Sequence, residues 1–265
     1  MLGAFFALRH AWEEQIGALG IVLVANVLLV AHVFVLNDWS NLTEDLKDPN
    51  RAKSVFTARG VGAAEMSRLA TGLLLASAVL FSLVSLLTMG LALGVAAISA
   101  LYSLPRFNWK GRPLLSSAAH LAGGLLHFMV GYSLGNPPGR RAFIIATFFA
   151  VTFAAGHLVQ EIRDHAADLG SATRTNTVTF GRRRAFAASL SLFTLSHALL
   201  FVLALAETLP RVLAGLIVLY PIHLRWSLQA LAEGLTHESV CRLQIRYRAI
   251  YAVIGLAMMA ALRLN

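Results

Sequence analysis

The chain has 265 residues, of which 57% are hydrophobic and only 13% charged, and its mean hydropathy is +0.69. A soluble domain carries about 25% charged residues, so this composition excludes one and points to a polytopic helical membrane protein. The net charge of +9 sits between apolar runs, so it reads as a topology signal and a site for anionic partners, not as nucleic-acid binding.

Taken from its start, the chain carries Arg9 after a short apolar run, then Glu13 and Glu14, with no small-residue cleavage site, so no signal peptide is read there. The apolar runs predict eight spans, roughly 16–36, 66–86, 88–104, 116–135, 141–160, 184–206, 209–230 and 247–263. Strand-like alternation is absent, which argues against an outer-membrane barrel. No internal repeat is visible, and one all-α bundle over 1–265 is the simplest domain reading. The single cysteine, Cys241, excludes an internal disulfide or a thiolate metal cluster. Loops after the first, third, fifth and seventh spans share one side of the membrane. Of the 22 Lys and Arg residues, the other side keeps only Arg9, Arg140, Arg141, Arg211 and Arg263, an asymmetry that places the basic loops in the cytoplasm.

The first of these loops reads NDWSNLTEDLKDPNRAKSVFTAR from Asn37 to Arg59. Asn37, Asn41 and Asp45 fall at i, i+4 and i+8, an oxygen-rich face at the end of an apolar helix, with Asp38 and Asp48 nearby. Pro49 is expected to end that helix, and Arg51, Lys53 and Arg59 follow. By itself this reads as a capped helix end with a solvated loop. The next basic loop, LYSLPRFNWKGRP from Leu101 to Pro113, offers Arg106, Lys110 and Arg112 for a diphosphate and Tyr102 to orient a polar head. It reads as well as an interfacial anchor.

From Gln160 to Gly181 the sequence QEIRDHAADLGSATRTNTVTFG sets Glu161, Asp164 and Asp168 at helical intervals of three and four. Stacked on one helix face, like charges repel, so they call for a cation, or for neutralisation by Arg163 and Arg174. Two such acidic faces, both on the basic side of the membrane, are suited to enclose one or two Mg²⁺ ions with basic side chains binding a polyanion.

On these residues the chain resembles the UbiA superfamily of intramembrane prenyltransferases. The superfamily's first motif, NDxxDxxxD followed by Pro and Arg, stands here as NDWSNLTED with Pro49 and Arg51. Its second, DxxDxxxD followed by Gly, Thr and Gly, stands as EIRDHAAD with Gly170, Thr173 or Thr175, and Gly181. Tyr102, Ser103 and Lys110 match the loop between them. The resemblance implies a helical bundle around a lipid-open cavity, with the motifs capping its cytoplasmic end. It also implies transfer of a prenyl group from an isoprenyl diphosphate, held through Mg²⁺, to a lipophilic acceptor of aromatic, quinone-precursor type.

By motif position, Asn37, Asn41, Asp45, Asp164 and Asp168 would hold the Mg²⁺–diphosphate, with Asn37, Asp45, Asp164 and Asp168 central to catalysis. Arg51, Lys110 and Arg174 would meet the diphosphate, Tyr102 and Arg106 would line it, and Asp38 and Glu161 are secondary. The setting implied is a prokaryotic cell membrane with membrane lipids around the bundle. Asn41 replaces an Asp of the pattern, which should weaken a Mg²⁺ site; Glu161 replaces another. The loop from Asp45 to Pro49 is about one residue short. Only 36 residues precede the first motif, where the superfamily has two helices, so either a span is missing or the start lies upstream.

Competing readings are a terpene cyclase acting on the same diphosphate, phosphoribosyl transfer to a lipid phosphate, and a transporter or a degenerate lipid-binding protein. Transport relays use charged residues within spans, whereas here the spans hold His32, His120, His127, His157 and His197. The histidines show no ligand pair at helical spacing alongside a carboxylate, so zinc and haem are unsupported.

Overall fold

A computed structural model describes residues 2–8, 14–46, 52–53, 55–135 and 137–264. Among them the helices are α1 (Leu2–Leu8), α2 (Ile16–Asp45), α3 (Ala63–Ser82), α4 (Leu86–Ser103), α5 (Leu115–Tyr132), α6 (Arg140–Arg163), α7 (His165–Gly170), α8 (Asn176–Phe180), α9 (Arg182–Leu205), α10 (Leu219–Ala232) and α11 (His237–Leu264). Short 3₁₀ turns cover Phe56–Arg59, Trp109–Gly111 and Arg211–Val218, and no strand occurs among the described residues. The all-α expectation therefore stands.

Seven of these segments are long and apolar enough to cross a membrane. The expected fourth span is present as α5 but is not among the seven. His120, His127, Ser116, Ser117 and three glycines lower its hydropathy, because this helix turns a polar face inward.

Interhelical polar bonds fix the first pair of long helices. α2 buries Val22, Ala25, Leu29 and His32, a helical stripe, on the side that meets Met66, Ala70, Ser77 and Phe81 of α3. Ser77 Oγ donates to the Ala25 carbonyl at 2.9 Å and His32 Nδ1 to the Ala70 carbonyl at 2.8 Å. Such bonds favour association where lipid removes the hydrophobic drive between helices.

Close backbone approach fixes the centre. A Cβ on Gly3 would lie 2.2 Å from the Phe128 carbonyl oxygen, so only glycine lets α1 seat on α5. A Cβ on Gly124 would come within 3.0 Å of the Ala150 Cα, which brings α5 against α6. α6 is the central helix: 61% of its apolar window is buried, against 39% or less for the others. It and its neighbours bury Phe6, Phe128, Met129, Phe148, Leu200, Ile254 and Met258 in one cluster. Val159, Ile162, Phe186, Phe193, Leu243 and Tyr247 form a second, nearer the end that carries the acidic residues. Leu23, Val27, Phe34, Leu75, Val79 and Leu86 stay exposed, as lipid-facing positions do.

Candidate active site at the polar end of the bundle

The first motif lies on the last two turns of α2, which runs unbroken to Asp45. Asn41 is buried, Asn37 and Asp45 half-buried, and Asp38 exposed. Ser103 Oγ, at the end of α4, donates to Asn37 Oδ1 at 3.4 Å. Lys110 Nζ donates to Asn41 Oδ1 at 3.3 Å and lies 3.6 Å from Glu44 Oε2. The turn that presents Lys110 is local in origin: Asn108 takes a left-handed backbone (φ 45°) and accepts a bond from the Gly111 N–H. Arg51, with Lys47, Asp48 and Pro49, falls outside the described residues.

The second motif departs from the expected single stacked face. α6 ends at Arg163; Asp164 leaves helical geometry (φ −89°, ψ 4°) and α7 restarts at His165. Asp164 is half-buried, and its two carboxylate oxygens accept from Arg163 Nε and Nη2 at 2.8 Å each. Arg163 in turn donates to Gln244 of α11 at 3.1 Å. Asp168 is buried, and the chain folds back over it: its carbonyl accepts from the Thr173 N–H at 2.9 Å and Ser171 Oγ at 3.2 Å, with Ala172 left-handed (φ 57°). His165, between the two, is lowered below the ordinary imidazole range by partial burial and then by the charge of Arg182. Arg174 and Arg106 are exposed, the latter 5.9 Å from the Phe107 ring. Among the described residues, no group of three His, Cys, Asp or Glu side chains is close enough to share an ion.

Glu161 has turned away from the other two carboxylates into a buried polar knot. Its oxygens accept from Ser116 Oγ (3.1 Å), Asn176 Nδ2 (3.0 Å) and the Thr177 N–H (3.3 Å), and His157 Nε2 lies 2.9 Å away. Asn176, which sequence reasoning did not single out, also accepts the Leu114 N–H at 2.7 Å. It is placed there by the Thr175 cap on α8. His157 and Glu161, four residues apart on α6, form a pair that sequence reasoning did not single out. The spacing in the sequence was the signal for it.

Tyr102 closes the arrangement. On the last turn of α4, it lies within electrostatic range of Glu161, Asp168 and Asp164, and edge-on to His120, with ring centroids 4.9 Å apart. The segment from Tyr102 to Lys110 thus bonds to the first motif and sets Tyr102 within electrostatic range of the second. A groove of about 430 Å³ lined by Arg183, Phe186, Ala187, Leu190 and Leu231 shares no residue with this site.

Residues 1–240 match the UbiA prenyltransferase family, and the chain belongs to that family. It is a multi-pass integral membrane protein. No curated protein matches it. A solved UbiA homolog from Archaeoglobus fulgidus bound to GPP and Mg²⁺ is similar over 100% of this chain and 94% of its own, at 18% identity and a TM-score of 0.75. A UbiA homolog from the same organism bound to DMAPP and Mg²⁺ is similar over 91% and 86%, at 17% identity and a TM-score of 0.67. A structure of digeranylgeranylglyceryl phosphate synthase covers 100% and 91%, at 15% identity and a TM-score of 0.72. At these identities the likeness establishes the UbiA-like fold.

Proposed function

We propose that this member of the UbiA prenyltransferase family transfers a prenyl group from an isoprenyl diphosphate to a lipophilic acceptor, of aromatic, quinone-precursor type, in a Mg²⁺-dependent reaction at the cytoplasmic face. The observation that carries this is the Tyr102–Lys110 segment, which bonds to Asn37 and Asn41 through Ser103 and Lys110 and sets Tyr102 within electrostatic range of Asp164 and Asp168.

The donors suit Mg²⁺. They are all oxygen, and Mg²⁺ is held by one or two carboxylates together with phosphate oxygens and water, not by a full protein cage. With no three-residue cluster among the described residues, Asp164 and Asp168 on one wall and Asn37, Asn41 and Asp45 on the other would complete an ion site only around a diphosphate. When bound, Mg²⁺ supplies charge neutralisation to the departing diphosphate. Lys110 and Arg174 add fixed positive charge to the leaving group, as does Arg51 on its motif position, and Arg106 lies on the approach. Tyr102 orients the head between the motifs. Asp38, exposed, stands at the rim. We read Glu161 as a clamp that joins α6 to α5 and α8, not as a substrate contact. The apolar interior excludes water, so the allylic carbon meets the acceptor before water does.

The reading is tested by supplying membranes that contain the protein with labelled geranyl, farnesyl and geranylgeranyl diphosphates in turn. A labelled, chain-extended lipid identifies the acceptor. A labelled hydrocarbon formed without acceptor would replace transfer by cyclisation.

A further inference from the structure

Prenylation of a ring carbon or of a hydroxyl has one feature in common: the acceptor loses a proton. We propose that His120 is the base that takes it, through Nε2. The inference rests on the transferase reading above.

The ring's tautomer is set by its own helix. His120 Nδ1 lies 2.8 Å from the Ser116 carbonyl oxygen, which can only accept, so Nδ1 carries the hydrogen and Nε2 keeps a lone pair. Nε2 meets no hydrogen-bond partner among the described residues, and His120 as a whole is only half-buried. One ring face is covered by His157, stacked at 3.6 Å between centroids and 9° between planes. Tyr102 stands edge-on at 4.9 Å, and Tyr102 lies within electrostatic range of Glu161, Asp168 and Asp164. His120 thus lies against Tyr102, and an acceptor bound there would present its nucleophilic atom to Nε2.

The group stacked on the ring is itself paired with a carboxylate. His157 Nε2 is 2.9 Å from Glu161, so an imidazolium at His120 would sit against a histidine–carboxylate pair. The other ionisable groups facing it are Tyr102 from α4, with Asp164 and Asp168 beyond. Lys110 on the Trp109–Gly111 turn is directed to Asn41 and Glu44 instead. In the step, the C1–O bond to the diphosphate breaks and its electron pair leaves with the diphosphate. The acceptor atom bonds to C1, and the proton it carried passes to Nε2. That proton then departs with the diphosphate product, restoring the neutral ring. A positioned base of this kind contributes roughly 10²–10⁴-fold to rate.

The test compares wild type, His120→Phe and His120→Gln as full-length protein in detergent, with Mg²⁺, labelled geranylgeranyl diphosphate and a lipid extract of the source cells as acceptor. The phenyl ring preserves the stack on His157, and Gln serves if Phe does not fold. The account expects lipid product to fall about 100-fold or more and the acidic limb of the pH profile to disappear. Affinity for geranylgeranyl thiolodiphosphate, which does not ionise, should stay within about twofold of wild type, since binding uses other residues. Unchanged turnover and pH profile in both variants would overturn the role of His120 alone, as would parallel loss of thiolodiphosphate binding. A wild-type protein that neither binds nor cleaves the diphosphate would overturn the transferase reading, and the base with it.

Discussion

The guanidinium of Arg163 grips both carboxylate oxygens of its neighbour Asp164 at 2.8 Å, across the joint where α6 gives way to α7. A carboxylate so held is aimed but partly neutralised, and any cation it binds competes with the arginine. Arg163→Gln should therefore lower the Mg²⁺ concentration for half-maximal activity about fivefold, the equivalent of about one net hydrogen bond. A Mg²⁺ titration of diphosphate cleavage measures this.

Asn41 is the complementary case, a neutral donor where the family pattern carries an acid. Asn41→Asp adds a charge beside Lys110 Nζ, 3.3 Å from the present amide oxygen. The Mg²⁺ half-saturation point should fall about three- to tenfold, following ligand charge. The same titration serves.

Glu161 is expected to matter for stability before chemistry. Glu161→Leu would strand Asn176, Ser116 and His157 in the buried knot, at a cost of about 3–5 kcal/mol for a broken buried charge network. A melt in detergent should drop by roughly 10 °C, whereas Asp164→Ala and Asp168→Ala should melt near wild type while losing turnover.

Leu114 sits at φ 65°, ψ −42°, inside a tight turn closed by the Leu115 N–H to the Pro113 carbonyl at 2.8 Å. Glycine relieves that strain, so Leu114→Gly should stabilise the protein by about 1 kcal/mol, read as a higher melting temperature with activity kept.

The bundle was legible because its signal is local. Runs such as 16–36 and 141–160 reach a membrane thickness, and Asn37, Asn41, Asp45, Asp164 and Asp168 carry their spacing on their face. What stayed hidden depends on partners distant in the chain. Glu161 looks like a third stacked acid until Ser116, 45 residues earlier, and Asn176, 15 later, are seen to claim it. The break at Asp164 has no Pro or Gly to announce it. α1 is too short to register as a span and is secured by glycine contacts that sequence periodicity does not report.

The most direct measurement is pyrophosphate release by the purified protein with Mg²⁺ and geranyl, farnesyl or geranylgeranyl diphosphate, set beside Asp168→Ala. The account predicts Mg²⁺-dependent release with at least one of the three, and a loss of about 10³-fold or more in the variant, comparable to removing a transition-state charge stabiliser. Wild-type protein that releases no pyrophosphate from any of them, or an Asp168→Ala variant that releases it undiminished, would contradict it.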